Sequence, residues 1–227
     1  MRTHLLHFTV RPVRTEMELR AACAVRAAAY GRRLPDVLGL WGEPDELDRQ
    51  AGVTVFAAFS KATGEVLGTA RLASNAHRPL QIEGSTTLPA DYRGTRNAEI
   101  TRLAVLPGQD DPTLKLALMK AVYQAALAQR VEWMVIGARL PSLVRGYQRL
   151  GFTDVLPGGA MVPLAHAGDL PHRVLSFNVR TAQADWQAIR HPFYDFMVEQ
   201  QHPDIQIGTP ARAPAAGLGT AAPALAA

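Results

Sequence analysis

The sequence predicts a single domain of the mixed α/β class, in which helices flank a central sheet. Patterns typical of strands and helices follow one another in the order strand, helix, hairpin, strand, helix, strand, helix, strand. The chain has 227 residues, of which 48% are hydrophobic, so it is long enough to bury one substantial core. No apolar run reaches the length of about eighteen residues that marks a transmembrane helix, so no membrane span is expected.

The chain is predicted to begin with a strand and a helix. Residues 5–13 alternate between apolar and polar side chains, as a half-buried strand does. Thr15 and Glu18 have the spacing of a capping box, in which a hydroxyl and a carboxylate three residues apart begin a helix. The Ala-rich stretch that follows favours a helix as far as about Tyr30. Pro35 and Gly39 then predict a loop.

A β-hairpin is predicted in the next part of the chain. Residues 54–59 and 66–72 are rich in β-branched and apolar side chains, and a short loop that contains Gly64 joins them. A loop of this length and composition between two apolar runs is typical of antiparallel strands.

The central part of the chain predicts two strands and a helix between them. Residues 98–105 form a strand whose last residues are apolar. Residues 112–129 have their large side chains on one helical face. Residues 133–138 are apolar throughout, which is typical of a strand covered on both sides.

The C-terminal part predicts short elements and then a tail. Residues 142–150 form a helix that Gly151 ends, and residues 174–179 form a strand. Two extra helices are expected at 181–189 and 192–199. We assign residues 1–207 to the single domain and expect residues 208–227, which are rich in Ala, Pro and Gly, to be disordered.

The composition argues against several classes of protein. Cys23, the only cysteine, lies in an apolar helical pattern, so no internal disulfide can form and a cytoplasmic location is expected. The N-terminus has no secretory signal, which supports the same location. No Cys or His pairs have metal-ligand spacing, so no metal site is expected. The basic residues behind the net charge of +4 are scattered arginines, which argues against a nucleic-acid partner.

Three local motifs carry chemical information. Tyr147 precedes Gly151 and Phe152 at the predicted end of a helix. Glu99 and Arg102 stand in an otherwise apolar strand, where charges are costly unless they are paired or used. A structural alternative for these two residues is a Glu–Arg ion pair at the end of the sheet. The three motifs are Tyr147-Gln148-Arg149-Leu150-Gly151-Phe152, Glu99-Ile100-Thr101-Arg102-Leu103-Ala104-Val105, and an acidic stretch with Asp45 and Asp48 followed by Gly68-Thr69-Ala70-Arg71-Leu72.

Taken together and in this order, the motifs resemble bacterial FeeM-type N-acyl amino acid synthases. These belong to the GNAT-like acyltransferase superfamily and are related to the acyl-homoserine lactone (autoinducer) synthases. The resemblance covers about residues 8–206. It implies a GNAT-like fold with a mostly antiparallel sheet. It also implies transfer of a long-chain fatty acyl group to the amino group of an amino acid.

The segment after the central strand departs from the usual GNAT pattern. GNAT enzymes that use coenzyme A have a glycine-rich loop there, whose N–H groups bind the pyrophosphate. Residues 106–115 of this chain contain one glycine, with Asp110 and Asp111 beside it. Ala98 also replaces the aromatic residue that precedes the glutamate in lactone synthases. We therefore expect no tightly bound cofactor. The expected donor is an acyl-phosphopantetheine on acyl carrier protein, with acyl-CoA less favoured.

The resemblance assigns roles to residues of these motifs. The catalytic residues would be Glu99, as the base that deprotonates the amine, together with Arg102 and Tyr147. Tyr147 either protonates the leaving thiolate or packs under the sheet. The substrate-binding residues would be Asp45, Asp48, Arg71 and Thr101. Arg71 and Arg102 would neutralise the three carboxylates of Asp45, Asp48 and Glu99 or bind the carboxylate of the amino acid.

A parity argument predicts the local geometry of this site. Glu99 and Arg102 are an odd number of residues apart, so a regular strand would place them on opposite faces. If both belong to one site with Asp45, the strand must contain a bulge between Glu99 and about Val105.

Three other functions compete with N-acyl amino acid synthesis. The chain could be an autoinducer synthase that forms an acyl-homoserine lactone. It could be a catalytically silent GNAT-like binding module, although Glu99 and Arg102 are both present. It could be an acetyl-CoA transferase, which the sequence of residues 106–115 disfavours.

Overall fold

The computed structural model describes residues 2–31 and 41–208. Its strands are β1 (Arg2–Thr3), β2 (Phe8–Pro12), β3 (Val53–Ser60), β4 (Val66–Ser74), β5 (Asn97–Val105), β6 (Trp133–Ala138), β7 (Thr153–Asp154), β8 (Met161–Leu164), β9 (Leu170–Asn178) and β10 (Gln200–Gln201). Its α-helices are α1 (Glu16–Gly31), α2 (Pro112–Ala128), α3 (Pro141–Gln148) and α4 (Ala182–Ala188). Within these described ranges, no helix combines the length and apolarity that crossing a bilayer requires.

Eight strands form the main sheet, in the order β2-β3-β4-β5-β6-β9-β7, with β8 paired to β9. Every neighbouring pair is antiparallel except β5 and β6, which run parallel because α2 connects them. Strands β1 and β10 form a separate parallel pair. The predicted mixed α/β class and the mostly antiparallel sheet are confirmed.

Helix α1 begins where the sequence predicts, but its carboxylate is used differently. Thr15 Oγ1 accepts a hydrogen bond from the Glu18 N–H at 3.2 Å, as a capping residue does. The Glu18 carboxylate, which a capping box would turn back to Thr15, instead accepts from the Arg14 N–H at 2.7 Å. It also binds Arg11 of β2, so α1 is tied to the edge of the sheet.

The two faces of the sheet are covered by different helices. Helix α2 buries Leu114, Leu118 and Val122 in the larger core, which also contains Ile100 of β5. Helix α1 buries Leu19 and other residues against the opposite face. On that second face, beyond α1, a smaller hydrophobic cluster surrounds Trp41. Arg102 and Asp45 of the predicted motifs lie beside this cluster.

The C-terminal part differs from the sequence-based expectation in several details. The helix predicted at 192–199 is a short π-helical turn, Asp195–Glu199. Strand β9 is longer than the predicted strand 174–179, and β7 and β8 were not predicted because such short edge strands lack a clear alternating pattern. The predicted tail beyond residue 208, and most of the predicted loop near Pro35, lie outside the described residues.

Candidate active site

Strand β5 contains a bulge at its pairing with β4. Thr69 pairs with Ala104, whereas Arg71 pairs with Thr101, so two residues of β5 oppose one residue of β4. Arg102 lies within this bulge and has a φ of +56°, in the left-handed region that side chains rarely adopt. The irregularity predicted between Glu99 and Val105 is therefore confirmed.

The bulge changes which side chains of β5 share a face. Ile100 packs in the α2 core, and Leu103 packs against the same core although it is three positions further along the strand. Arg102 turns the other way, where it meets Asp45 and Trp41. The bulge thus brings the Arg102 guanidinium to the face that Glu99 and Thr101 occupy.

A cavity opens where β5 and β6 separate. The two strands pair from Asn97 with Trp133 to Ile100 with Ile136, and the register ends there. The cavity between their diverging ends has a volume of about 910 Å³. Much of its wall is apolar, including Tyr30, Trp41, Leu103, Leu140, Leu143 and Met161. Its polar wall includes Arg102, Lys115, Tyr147 and His166. This volume is in the range of small-molecule sites.

A buried ionic cluster lies beside this cavity. Arg71 of β4 is fully buried and donates to both carboxylate oxygens of Asp45, at 2.7 and 2.8 Å. Its other nitrogens donate to Thr101 at 2.8 Å and to Gln81 at 3.0 Å. Burial by itself raises the pKa of Asp45, but the charge and hydrogen bonds of Arg71 outweigh it and lower that pKa. All three guanidinium nitrogens of Arg71 are thus engaged by side chains of the protein.

Arg26 of α1 is the second arginine of the cluster. Its guanidinium donates to both oxygens of Asp48, at 2.8 and 3.0 Å, and both side chains are buried. Asp48 also lies 3.2 Å from Arg71, so one carboxylate joins two guanidinium groups. Like Arg71, Arg26 is therefore used within the fold.

Of the three arginines in the cluster, Arg102 makes the longest contact with a carboxylate. It lies 3.5 Å from Asp45, which Arg71 already holds more closely, and over the ring of Trp41. Its Nε is buried and has no hydrogen-bond partner within the described ranges. Burial, followed by the charge of Arg71, lowers the pKa of Arg102 to about 10. Three guanidinium groups thus share two carboxylates, and the excess positive charge faces the cavity.

Glu99 does not join this cluster, so the expectation that Arg71 or Arg102 neutralises it is wrong. One carboxylate oxygen accepts from the Ile82 N–H at 3.1 Å. The other lies 3.1 Å from His166 Nε2. Glu99 shares a face with Thr101, but the Arg71 guanidinium opposite Thr101 donates to Asp45 and not to Glu99.

Tyr147 reaches the cavity from α3. Its side chain is buried, and burial raises the pKa of its hydroxyl well above the ordinary value, so the hydroxyl stays protonated. Lys115 of α2 lies 5.0 Å from the centre of the Tyr147 ring. Because it stays protonated, the hydroxyl remains able to donate a proton.

The N-terminus of α2 is already occupied by a carboxylate of the chain. Asp111 is the N-cap and accepts from the Thr113 N–H at 2.8 Å. In coenzyme A enzymes the corresponding helix terminus binds the pyrophosphate. An acidic cap at this position opposes the binding of that anion.

Six of the seven predicted site residues lie around the cavity and its ionic cluster, and Glu99, the seventh, lies beside them in contact with His166. The structure adds two residues to the site. Arg26 and His166 were missed. Arg26 lies among buried residues of an Ala-rich helix. A lone arginine on an apolar helical face was the feature of the sequence that could have indicated a buried ion pair. His166 follows a short edge strand and gives no pattern that the sequence alone makes visible.

Comparison with known protein families places these residues in context. The model of the family described as "N-acyl amino acid synthase FeeM" matches residues 21–163, which is more than half of the chain. The matched span includes all seven predicted site residues and ends before His166. A search of curated proteins found no match.

Solved structures share the fold at low sequence identity. FeeM, an N-acyl amino acid synthase from uncultured soil microbes, aligns with a TM-score of 0.61 and 20% identity over 84% of this chain and 98% of its own. A CoA-dependent acyl-homoserine lactone synthase, BjaI, gives 0.54 and 16% over 86% and 93%. An acetyltransferase of the GNAT family from Staphylococcus aureus gives 0.51 and 11% over 76% and 99%. The expected GNAT-like fold is confirmed.

Proposed function

We propose, from the premise that this chain belongs to the FeeM family of N-acyl amino acid synthases, that it joins a long-chain fatty acyl group to the amino group of an amino acid. The observation that carries the proposal is the cavity between β5 and β6. One part of its wall bears the excess positive charge of the ionic cluster, and much of the rest is apolar. Such a site suits an anionic acceptor beside an apolar acyl chain.

Arg102 is proposed to bind the carboxylate of the acceptor. Arg26 and Arg71 are engaged by Asp48 and Asp45 and do not line the cavity, whereas Arg102 lines it. The Nε atoms of Arg26 and Arg102 are both unpartnered, but only that of Arg102 belongs to a cavity residue. A bound carboxylate would give that guanidinium a charge-assisted partner and cancel the excess charge of the cluster. Asp45, Asp48, Arg71 and Thr101 support this site indirectly, because they fix the position of the guanidinium beside them.

Acyl carrier protein is the proposed donor, with the fatty acyl group carried on its phosphopantetheine arm. The Asp111 cap and the adjacent Asp110 disfavour the pyrophosphate of coenzyme A at the α2 terminus. The phosphopantetheine arm lacks that pyrophosphate, so this terminus does not oppose it. The net charge of +4 also suits an acidic carrier protein. The reaction is proposed to take place in the cytoplasm, where this carrier would be met.

The chemistry of amide formation can be assigned to the cavity wall. The backbone of β5 from Thr101 to Val105 is not paired with β6, and its N–H groups on that edge are proposed to stabilise the oxyanion of the thioester. Tyr147, which stays protonated, is proposed to donate a proton to the leaving thiolate. The base is proposed to belong to the pair formed by Glu99 and His166, of which His166 lines the cavity.

The purified full-length chain tests this function directly. It would be incubated with one long-chain acyl group presented on acyl carrier protein or on coenzyme A, a panel of amino acids, and S-adenosylmethionine in a parallel series. Mass spectrometry would identify the product. We expect N-acyl amino acids, faster formation from the carrier protein, and a rate from that donor that falls as salt screens the two surfaces. A lactone product would overturn the proposed acceptor, and a faster reaction with acyl-CoA would overturn the proposed donor.

A further inference from the structure

We propose that His166 is the catalytic base of this enzyme and that Glu99 is its positioning residue. The inference rests on the proposed amide-forming reaction and assigns its proton transfer. His166 lies on a short turn, Ala165–Ala167, between β8 and β9, and its ring forms part of the cavity wall. This turn follows the span that the family match covers.

Glu99 is poorly placed to act on a substrate itself. It is 1% exposed and does not form part of the cavity wall. One oxygen is held by the Ile82 N–H at 3.1 Å, and the other faces His166 Nε2 at 3.1 Å. A base must come within hydrogen-bonding reach of the proton that it removes. His166 occupies the position through which Glu99 would have to act.

The contact between the two side chains determines the state of the imidazole. An ionised carboxylate is only an acceptor, so the proton of a neutral His166 belongs on Nε2, facing Glu99. This tautomer leaves Nδ1 with a free lone pair, and Nδ1 is buried without a hydrogen-bond partner within the described ranges. The Glu99 oxygen is also not satisfied, because the contact lies within ion-pair distance without forming a regular hydrogen bond. Such contacts tighten when substrate binds.

The proposed proton transfer balances over one turnover. The neutral amine of the acceptor attacks the thioester carbonyl, a C–N bond forms, and the amine proton moves to His166 Nδ1. The C–S bond then breaks, and the thiolate receives one proton from Tyr147. The proton on His166 restores the Tyr147 hydroxyl through bound water. The products are one amide and one thiol, and no oxidant or metal is required.

Other charged or titratable groups lie near His166. His172 of β9 and Arg139, after β6, line the same cavity. Glu99 is the carboxylate that contacts the imidazole, at 3.1 Å. Replacing Glu99 by a neutral residue therefore removes a negative charge from beside the ring.

Steady-state kinetics of the full-length enzyme over about pH 5.5–9 test the assignment. His166→Gln should lower kcat about 100-fold, which is the lower range of general-base effects, and should remove the acid limb of the kcat profile. The KM for the amino acid should change by less than about threefold, since Arg102 is intact. Glu99→Gln should lower kcat and shift the acid limb, because the negative charge beside the imidazole is removed. A residue with a purely structural role would leave that limb in place.

The matched control is His77→Gln, the same substitution on an exposed histidine that does not line the cavity. This variant should retain the acid limb. If His166→Gln does not fold, as judged by thermal melting, His166→Ala with added imidazole replaces it, and a rate that imidazole raises at least about tenfold supports the assignment.

Two results would overturn the role of His166. One is a His166→Gln enzyme within about threefold of the wild-type kcat with its acid limb intact. The other is a His166→Ala enzyme whose rate does not respond to imidazole. A wild-type product other than an N-acyl amino acid would instead remove the proposed function. If His166→Gln abolished that other amine acylation as well, the assignment of the base would stand by itself.

Discussion

Arg26 of α1 and Asp48 form a bidentate ion pair, with contacts of 2.8 and 3.0 Å and side chains that are 1% and 0% exposed. Asp48 simultaneously lies 3.2 Å from Arg71 of β4. This carboxylate therefore connects the first helix to the central sheet. Two buried guanidinium groups depend on it, which makes it the most sensitive member of the ionic cluster.

Asp48→Asn should destabilise the fold strongly. Removing one partner of a buried ion pair leaves the other charge uncompensated, so the free energy of unfolding should fall by about 3–5 kcal/mol. Urea denaturation of both proteins would measure the change. Glu43→Gln is the control, since Glu43 forms an exposed pair with Arg20 and should change stability by less than about 0.5 kcal/mol. An Asp48→Asn effect below about 1 kcal/mol would contradict a structural role for this ion pair.

Glu18 should make stability depend on acid pH. Its side-chain hydrogen bond with Arg11 is the largest cause that lowers its pKa, from 4.5 to about 2. A carboxyl group whose pKa is lower in the folded state contributes stability above the unfolded value, and that contribution is lost as pH falls through the folded value. Glu18→Gln should therefore cost roughly 2 kcal/mol near pH 7. The difference in free energy of unfolding between the two proteins should narrow steadily below about pH 4.5 and close near pH 2. Unfolding free energies of both proteins at several pH values test this, and a gap that does not narrow would exclude the linkage.

The bulge in β5 could be predicted because it follows from a local rule. Side chains alternate along a strand, so two charges at an odd spacing cannot reach one site without an extra residue. The structure places that extra residue at Arg102. The hairpin β3–β4 and the position of α2 were predictable for a similar reason, since periodicity and turn composition are properties of short segments.

The partners of the charges could not be predicted in the same way. Alternation gives the face on which Glu99 lies, but not which groups approach that face from distant segments. Arg71 stands opposite Thr101 and its guanidinium turns to Asp45, whereas His166 arrives from a turn far along the chain. Arg26 likewise depends on how α1 packs on the sheet. These contacts are set by tertiary packing, which a local sequence pattern does not encode.

Lys120 of α2 should hold the C-terminal segment in place. Its buried ammonium donates to the Phe196 and Gln200 carbonyls, at 2.6 and 2.7 Å, and lies 3.0 Å from His202 Nδ1. Lys120→Met would leave these acceptors unpaired, so stability should fall by about 2–3 kcal/mol. Hydrogen exchange in residues 195–205 should accelerate.

Lys61→Met provides the matched comparison for this prediction. Lys61 also binds the C-terminal segment, through Asp204 at 2.7 Å, but its side chain is 40% exposed. Its loss should cost less than about 1 kcal/mol. If the two variants were equally stable, burial would not explain the role of Lys120.

Arg102 should discriminate an amino acid from the corresponding amine without a carboxylate. The other two arginines of the cluster are held by Asp45 and Asp48, so the carboxylate of the acceptor should bind only to Arg102 among the three. Arg102→Gln should raise the KM for the amino acid about 10- to 100-fold, in line with a charge-assisted contact of about 1.5–3 kcal/mol. The KM for the acyl donor should stay within about threefold.

The matched experiment compares both acceptors in both enzymes. The wild-type enzyme should prefer the amino acid to its decarboxylated amine, and Arg102→Gln should lose most of that preference, because the amine has no carboxylate for Arg102 to bind. Stability should change little, since the contact that Arg102 makes with Asp45 is 3.5 Å long and Arg71 already neutralises that carboxylate. If Arg102→Gln retained the wild-type preference, the carboxylate would have to bind elsewhere in the cavity, and Lys115 and Arg139 would be the next residues to substitute.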